Sequence, residues 1–249
     1  MINSPILNAA SEHLDFTFTP GAGDSPIAEW LVVLGHGVTG DKTRPIIADT
    51  AAALNAAGFS TLAISFAGNG DSEGDFRACT ITKEVADLGA VLDAVAPSHP
   101  KIAYIGHSMG AAVGVLRAAQ DERIRALVSL AGMVDTKTFA ETEFGDVKAD
   151  EGVMWEDEDC PLSSTFMTDL TATVGNVSPA AEQVAIPWLL VHGTADDVVL
   201  PADTEHIQVL KQTYADYVFV EGADHGFNEP AHKNAATSAV TDWLCKQAS

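Results

Sequence analysis

The chain has 249 residues, with 13 Lys and Arg against 35 Asp and Glu, for a formal net charge of −22. Nucleic acid and anionic membrane would both be repelled by such a surface, so neither is expected as a partner. The 47% share of hydrophobic residues suits one globular domain of ordinary size, and three widely spaced cysteines (Cys79, Cys160, Cys245) argue against a disulfide framework or a zinc site.

The segment Met1–Pro5 lacks a basic region followed by an apolar core. No secretory signal is therefore expected, and a cytoplasmic location is. No apolar run approaches the length that spans a bilayer. The acidic surface reads as an adaptation to salt, and hence to a saline or marine habitat.

Alternation in His13-Leu14-Asp15-Phe16-Thr17-Phe18 predicts an N-terminal antiparallel edge strand, ended by Pro20-Gly21. Further strands are expected near 30–35, 60–66, 101–106, 125–131, 187–192 and 216–220. Helices alternate with them. Val85, Leu88, Leu92 and Val95 mark one helical face. Ala235, Ala236, Ala239, Val240, Trp243 and Leu244 mark another near the C-terminus. This order predicts an α/β fold, a mostly parallel sheet with helices on both faces.

One domain, 1–249, is expected, with a cap inserted at about 136–184. That stretch is too long for an ordinary connection. Residues 136–160 carry nine acids against Lys137 and Lys148. Phe139, Phe144, Met154, Trp155, Leu162, Phe166, Met167 and Leu170 are interleaved. They read as the underside of a cap over a site, with an acidic outside.

The chemistry centres on Gly106-His107-Ser108-Met109-Gly110, which follows the apolar run Ile102–Ile105 and precedes a helix of small residues. A G-x-S-x-G run between strand and helix is the setting of a nucleophile elbow. A serine hydroxyl is a weak nucleophile and needs a base, which in turn needs an orienting acid. Two late segments offer them. Pro187–Val191 runs into His192-Gly193-Thr194-Ala195-Asp196-Asp197, and Tyr217–Val220 runs into Glu221-Gly222-Ala223-Asp224-His225. An acid past one strand and a histidine past the next could meet at the carboxyl edge of a parallel sheet.

With Gly35-His36-Gly37-Val38-Thr39-Gly40 and Gly68-Asn69-Gly70-Asp71-Ser72-Glu73-Gly74, these motifs resemble the α/β-hydrolase superfamily over nearly the whole chain. In pattern the chain is similar to small bacterial feruloyl (cinnamoyl) esterases. The resemblance implies Ser108 as nucleophile, Asp196 as acid and His225 as base. It also implies an oxyanion hole made by the N–H groups of Val38 and Met109. Asp197 is the competing acid, and the HG-x-x-D spacing favours Asp196. Ala111 stands where many relatives have glycine, and Asn69 where histidine is frequent; the Gly68–Gly74 loop reads as structural.

His36, His107 and His192 read as local structural residues, and His13, His99, His206 and His232 as surface ones. The implied reaction is hydrolysis of a small carboxylic ester, short-chain, aryl or hydroxycinnamoyl, through an acyl-enzyme, with no metal or organic cofactor. Thioesterase, lipase, amidase or peptidase chemistry on the same triad stays open, as does a non-catalytic ligand receptor. If the run Glu156–Asp159 lies at the mouth, esters carrying extra carboxylates should be disfavoured.

Overall fold

The apolar runs form the middle of one twisted sheet. A computed structural model describes residues 5–22, 26–211 and 215–248. The segment 1–4, read above for a secretory signal, lies outside them. In chain order the strands are β1 (Ile6–Leu7), β2 (His13–Leu14), β3 (Phe16–Thr19), β4 (Trp30–Gly35), β5 (Ser60–Ile64), β6 (Lys101–His107), β7 (Ile124–Leu130), β8 (Trp188–Gly193) and β9 (Ala215–Val220). The helices are α1 (Pro45–Ala56), α2 (Ile81–Val95), α3 (Met109–Ala118), α4 (Thr136–Phe144), α5 (Ser164–Thr168), α6 (Ser178–Ala181), α7 (Pro201–Leu210) and α8 (Pro230–Ala248).

The main sheet runs β3-β5-β4-β6-β7-β8-β9. Only β3 is antiparallel, pairing with β5 from Phe16↔Ile64 to Thr19↔Thr61. The expected single edge strand over 13–18 is in fact two pieces. β2 leaves to pair with β1, and Asp15 sits at the break, its N–H on the Ser72 hydroxyl and its carbonyl taking the Ser65 N–H.

The two faces of β4 show the layering. Leu31 and Val33 pack toward α2 and α3, whereas Val32 and Leu34 pack toward α1 and α8. This is the period of two of a strand buried on both sides. Local signals start the helices. Pro45 pre-sets φ at the first turn of α1. The Thr80 hydroxyl accepts from the Lys83 N–H at 3.0 Å and caps α2. In α8 the buried face is Ala236, Thr237, Val240, Trp243, Leu244 and Ala248, with Ala235 turned to solvent.

The face of α2 differs from the apolar reading. Val85 is half-buried, whereas Glu84 and Asp87 are buried. Asp87 accepts from the Ala67 N–H at 3.0 Å and the Asn8 amide at 2.8 Å, which ties α2 to the loop after β5. Glu84 leaves one oxygen, Oε2, without a partner among the described residues. Burial first, then the nearby Asp87 and Asp169 carboxylates, push its carboxyl well above the usual range.

The chain between β7 and β8 holds α4, α5, a π-helical turn at Asp169–Val174, and α6. Phe139, Phe144, Met154, Leu162, Phe166 and Leu170 are buried in the same core as α2 and α3, and Met167 packs against it. No helix of the described residues is long and apolar enough to cross a membrane.

A buried acid with a raised pKa stabilises the fold while protonated in both states. It loses that contribution as pH rises from the unfolded value toward the folded one. Glu84 should therefore make stability fall as pH climbs above the ordinary carboxylate range. Urea unfolding of wild type and Glu84→Gln, from about pH 5 to 8, should show a flatter pH slope in the variant. Parallel slopes would mean that Glu84 is already ionised in the fold.

Candidate active site

Ser108 stands between the end of β6 and the first turn of α3 with φ 55° and ψ −120°. That strained conformation persists because its surroundings leave no alternative. A Cβ on Gly106 would lie 2.2 Å from the Gly110 carbonyl oxygen, and one on Gly110 would lie 2.4 Å from that of His36. The glycines thus let β6, α3 and the chain after β4 close on one another.

His225 follows β9, and its Nδ1 lies 2.8 Å from Asp196 Oδ2. Asp196 is buried beyond β8 and collects four donors. The Val198 and Val199 N–H groups reach Oδ1 at 3.0 and 2.9 Å. His225 Nδ1 and His192 Nε2 reach Oδ2, the latter at 3.1 Å. Burial by itself would raise this carboxyl. Hydrogen bonds from His192 and His225, then the charge of His225 and the Val199 N–H, outweigh it and hold the carboxyl well below the usual range. Asp197 is exposed.

His192 Nε2 also lies 2.9 Å from the Val199 carbonyl. Both neighbours of Nε2 are acceptors, so the proton sits there, and Nδ1 accepts from the Thr204 hydroxyl at 2.8 Å. His107 Nε2 lies 2.9 Å from the His225 carbonyl, and the two rings are 4.9 Å apart. Burial, then the charge of His225, push the His107 imidazole down to about 3, so it stays neutral. Both histidines therefore hold His225 or Asp196 in place and not merely their own turns. For His192 the i, i+4 spacing to Asp196 was a visible signal. His107 had none, because its partner is 118 residues away.

His36 is fully buried. Its Nε2 accepts from the Phe66 N–H at 3.0 Å and its Nδ1 lies 2.9 Å from the Gly37 carbonyl. It braces the loop that carries Val38. Among the described residues the Val38 and Met109 N–H groups have no acceptor. Of the four histidines expected at the surface only His206 is exposed; His13, His99 and His232 are half-buried, and His232 Nδ1 is enclosed without a partner among the described residues. Asn69 is buried, with its amide 3.3 Å from Cys79 Sγ.

Ser108, His107, His225 and Val38 share one cleft of about 290 Å³ with Gly37, Thr39, Arg44, Pro45, Ile46, Trp155, Val198, Gly226 and Asn228. Ser108 and His225 face it without a direct hydrogen bond, a separation common before substrate draws such groups together. From the inserted segment only Trp155 reaches the wall; the other seven apolar residues read as its underside pack inward. Trp155 has φ 46°, and its indole N–H donates to Glu143 at 2.7 Å. Glu156, Asp157, Glu158 and Asp159 are exposed and none lines the cleft. The run follows Trp155 directly, so it stands beside the wall without forming part of it.

The model of the family "Serine aminopeptidase, S33" matches residues 26–147. A structure of Est1E from Butyrivibrio proteoclasticus with ferulic acid bound is similar at TM-score 0.86 and 23% identity, covering 98% of each chain. The Pyrococcus furiosus esterase Pf2001 is similar at TM-score 0.74 and 19% identity, covering 98% of this chain and 89% of that one. A Paleococcus ferrophilus monoacylglycerol lipase gives TM-score 0.73 and 19% identity, covering 93% and 98%. The chain has the α/β-hydrolase fold. No curated protein matches the sequence. No three His, Cys, Asp or Glu among the described residues are grouped to hold a metal ion.

The four donors on Asp196 discriminate between the neighbouring acids. Asp196→Asn should cut ester turnover by roughly 10³-fold or more, since an amide mismatches the donors and spoils the imidazole tautomer. Asp197→Asn should stay within about twofold, as expected of an exposed surface change. Initial rates on p-nitrophenyl acetate decide between them, and a larger loss in Asp197→Asn would reassign the acid.

Proposed function

We propose that the protein is a serine carboxylester hydrolase acting on small esters through an acyl-enzyme. The observation that carries this reading is the strained Ser108 turn sharing one cleft with an imidazole already hydrogen-bonded to a buried carboxylate. Ser108 Oγ attacks the ester carbonyl while His225 Nε2 takes its proton. The resulting imidazolium is stabilised by Asp196, whose low pKa keeps it ionised. The unpartnered Val38 and Met109 N–H groups receive the tetrahedral oxyanion. His225 then protonates the departing alkoxide, and water activated by the same nitrogen releases the acid.

Electrostatics favour this division of labour. A carboxylate beside a histidine raises the energy gained when the imidazole becomes charged. His107 and His36 stay neutral and do not compete for the proton, the latter because burial pushes it down to about 4. The cleft is small, and Pro45, Ile46, Val198 and Trp155 give it apolar walls. Those walls and the likeness to the ferulate-bound Est1E support aryl and hydroxycinnamoyl esters as substrates.

Two measurements test the reading. An organophosphate should label Ser108 stoichiometrically and abolish turnover of methyl ferulate and p-nitrophenyl acetate. Ser108→Ala and His225→Ala should each lose roughly 10³-fold or more, with the double variant little worse, because the groups act as a unit. kcat/KM should rise with pH as the base loses its proton and then level off. Labelling without turnover would leave a ligand receptor. Additive losses would break the assignment of the pair.

A further inference from the structure

The cleft wall holds no carboxylate, although the chain has 35 Asp and Glu. Its one permanently charged side chain is Arg44, a cation in a protein of net charge −22. Elsewhere acids take up most of the cations. Eight of the 13 Lys and Arg sit in ion pairs, Arg123 with two aspartates at 2.6 and 2.7 Å. Among the described residues no carboxylate lies within ion-pair distance of Arg44. Asp41, three residues earlier, is turned back onto the Thr43 N–H and hydroxyl, each at 2.6 Å.

The guanidinium is nevertheless held in place. Nη2 donates to the Thr39 carbonyl and hydroxyl, both at 3.2 Å. Thr39 belongs to the loop that carries Val38 and has φ 55°. Arg44 is therefore anchored to the oxyanion loop itself, and Nε and Nη1 are left with no acceptor among the described residues. Its charge is felt at His36, His107 and, without an ion-pair contact, the Asp41 carboxylate on one side and at Cys160 of the inserted segment on the other. A guanidinium is always charged and matches planar oxyanions. Arg44 is exposed and lines the cleft, so with one edge tethered its free N–H groups are open to a carboxylate on a bound molecule.

We propose that Arg44 makes this cleft selective for esters that bear a free carboxylate, which it holds while the ester carbonyl lies at Ser108. This rests on the ester-hydrolase reading above and narrows its substrate class. Two opposing fields define the expected behaviour. The surface charge repels any anion at long range, and the guanidinium attracts it at contact. Removing Arg44 leaves only the repulsion.

The test uses two pairs of esters matched in size. One places the carboxylate on the alcohol side, 4-acetoxybenzoate against 4-acetoxybenzamide. The other places it on the acyl side, monomethyl adipate against its monoamide. In wild type, kcat/KM should favour the anion by about tenfold or more in at least one pair, mainly through KM. Arg44→Gln should lower that ratio at least tenfold, and Arg44→Lys should restore part of it. Added salt should raise the relative rate on the anion in Arg44→Gln, because screening shortens from about 10 Å at 0.1 M to 3 Å at 1 M and relieves the remaining repulsion. A tethering role alone would change both members of a pair together. If the amides are hydrolysed and neither anion is preferred, or if Arg44→Gln keeps the preference, the assignment of Arg44 falls while the ester reading stands. No turnover of any of the four, with no organophosphate labelling of Ser108, removes the ester reading and this one with it.

Discussion

The close approach of three backbones at the carboxyl edge of β4 and β6 governs the whole site. Gly110 lies where any Cβ would strike the carbonyls of Gly35 and His36, and a Cβ on Gly37 would lie 2.8 Å from that of Ser108. Closing this gap brings the Val38 loop over the start of α3. It puts Ser108 and both candidate oxyanion donors on neighbouring backbone, with no side chain needed to join them. The strain at Ser108 is the consequence. It is sustained by the Ser108 N–H on the Leu130 carbonyl and by the Ser108 carbonyl receiving the Ala111 and Met133 N–H groups.

Charge is distributed against the average of the molecule. Acids dominate the surface, yet the one at the site, Asp196, is buried and fully supplied with donors, and the cleft wall has none. His107, His192 and His36 surround it as hydrogen-bonding groups. For His107 and His36, burial disfavours the charged form. The site thus holds one carboxylate, the imidazole it bonds and one guanidinium, and the 34 other acids are absent from its wall.

The inserted segment adds core more than cover. Its phenylalanines and leucines join the layer of α2 and α3, and its acids face water, apart from the half-buried Glu143 that anchors Trp155 and the buried Asp169 that accepts from Thr82. The left-handed backbone at Trp155 and Glu156 turns a single indole toward the cleft. Such a φ is uncommon for bulky residues, and here the Met154 N–H on the Cys160 carbonyl and the Asp157 N–H on the Met154 carbonyl close the turn around it.

Much of the fold was legible in the sequence, because runs such as Leu31–Leu34 and Ile102–Ile105 carry their burial in their composition. The G-x-S-x-G run was legible for the same reason: its glycines answer steric demands only a few residues away. The buried acids of α2 were not. Glu84 and Asp87 look like surface residues until Asn8 and Ala67, far off in the chain, arrive to bond one and the core encloses the other. His107 and Arg44 were equally silent, since what they touch or lack depends on segments brought together by the sheet. The sequence by itself determined the strand and helix order and the chemical types available at the carboxyl edge. Only the tertiary structure decided which of them meet, because burial and hydrogen bonding between distant segments are properties of the packed chain and not of any local stretch.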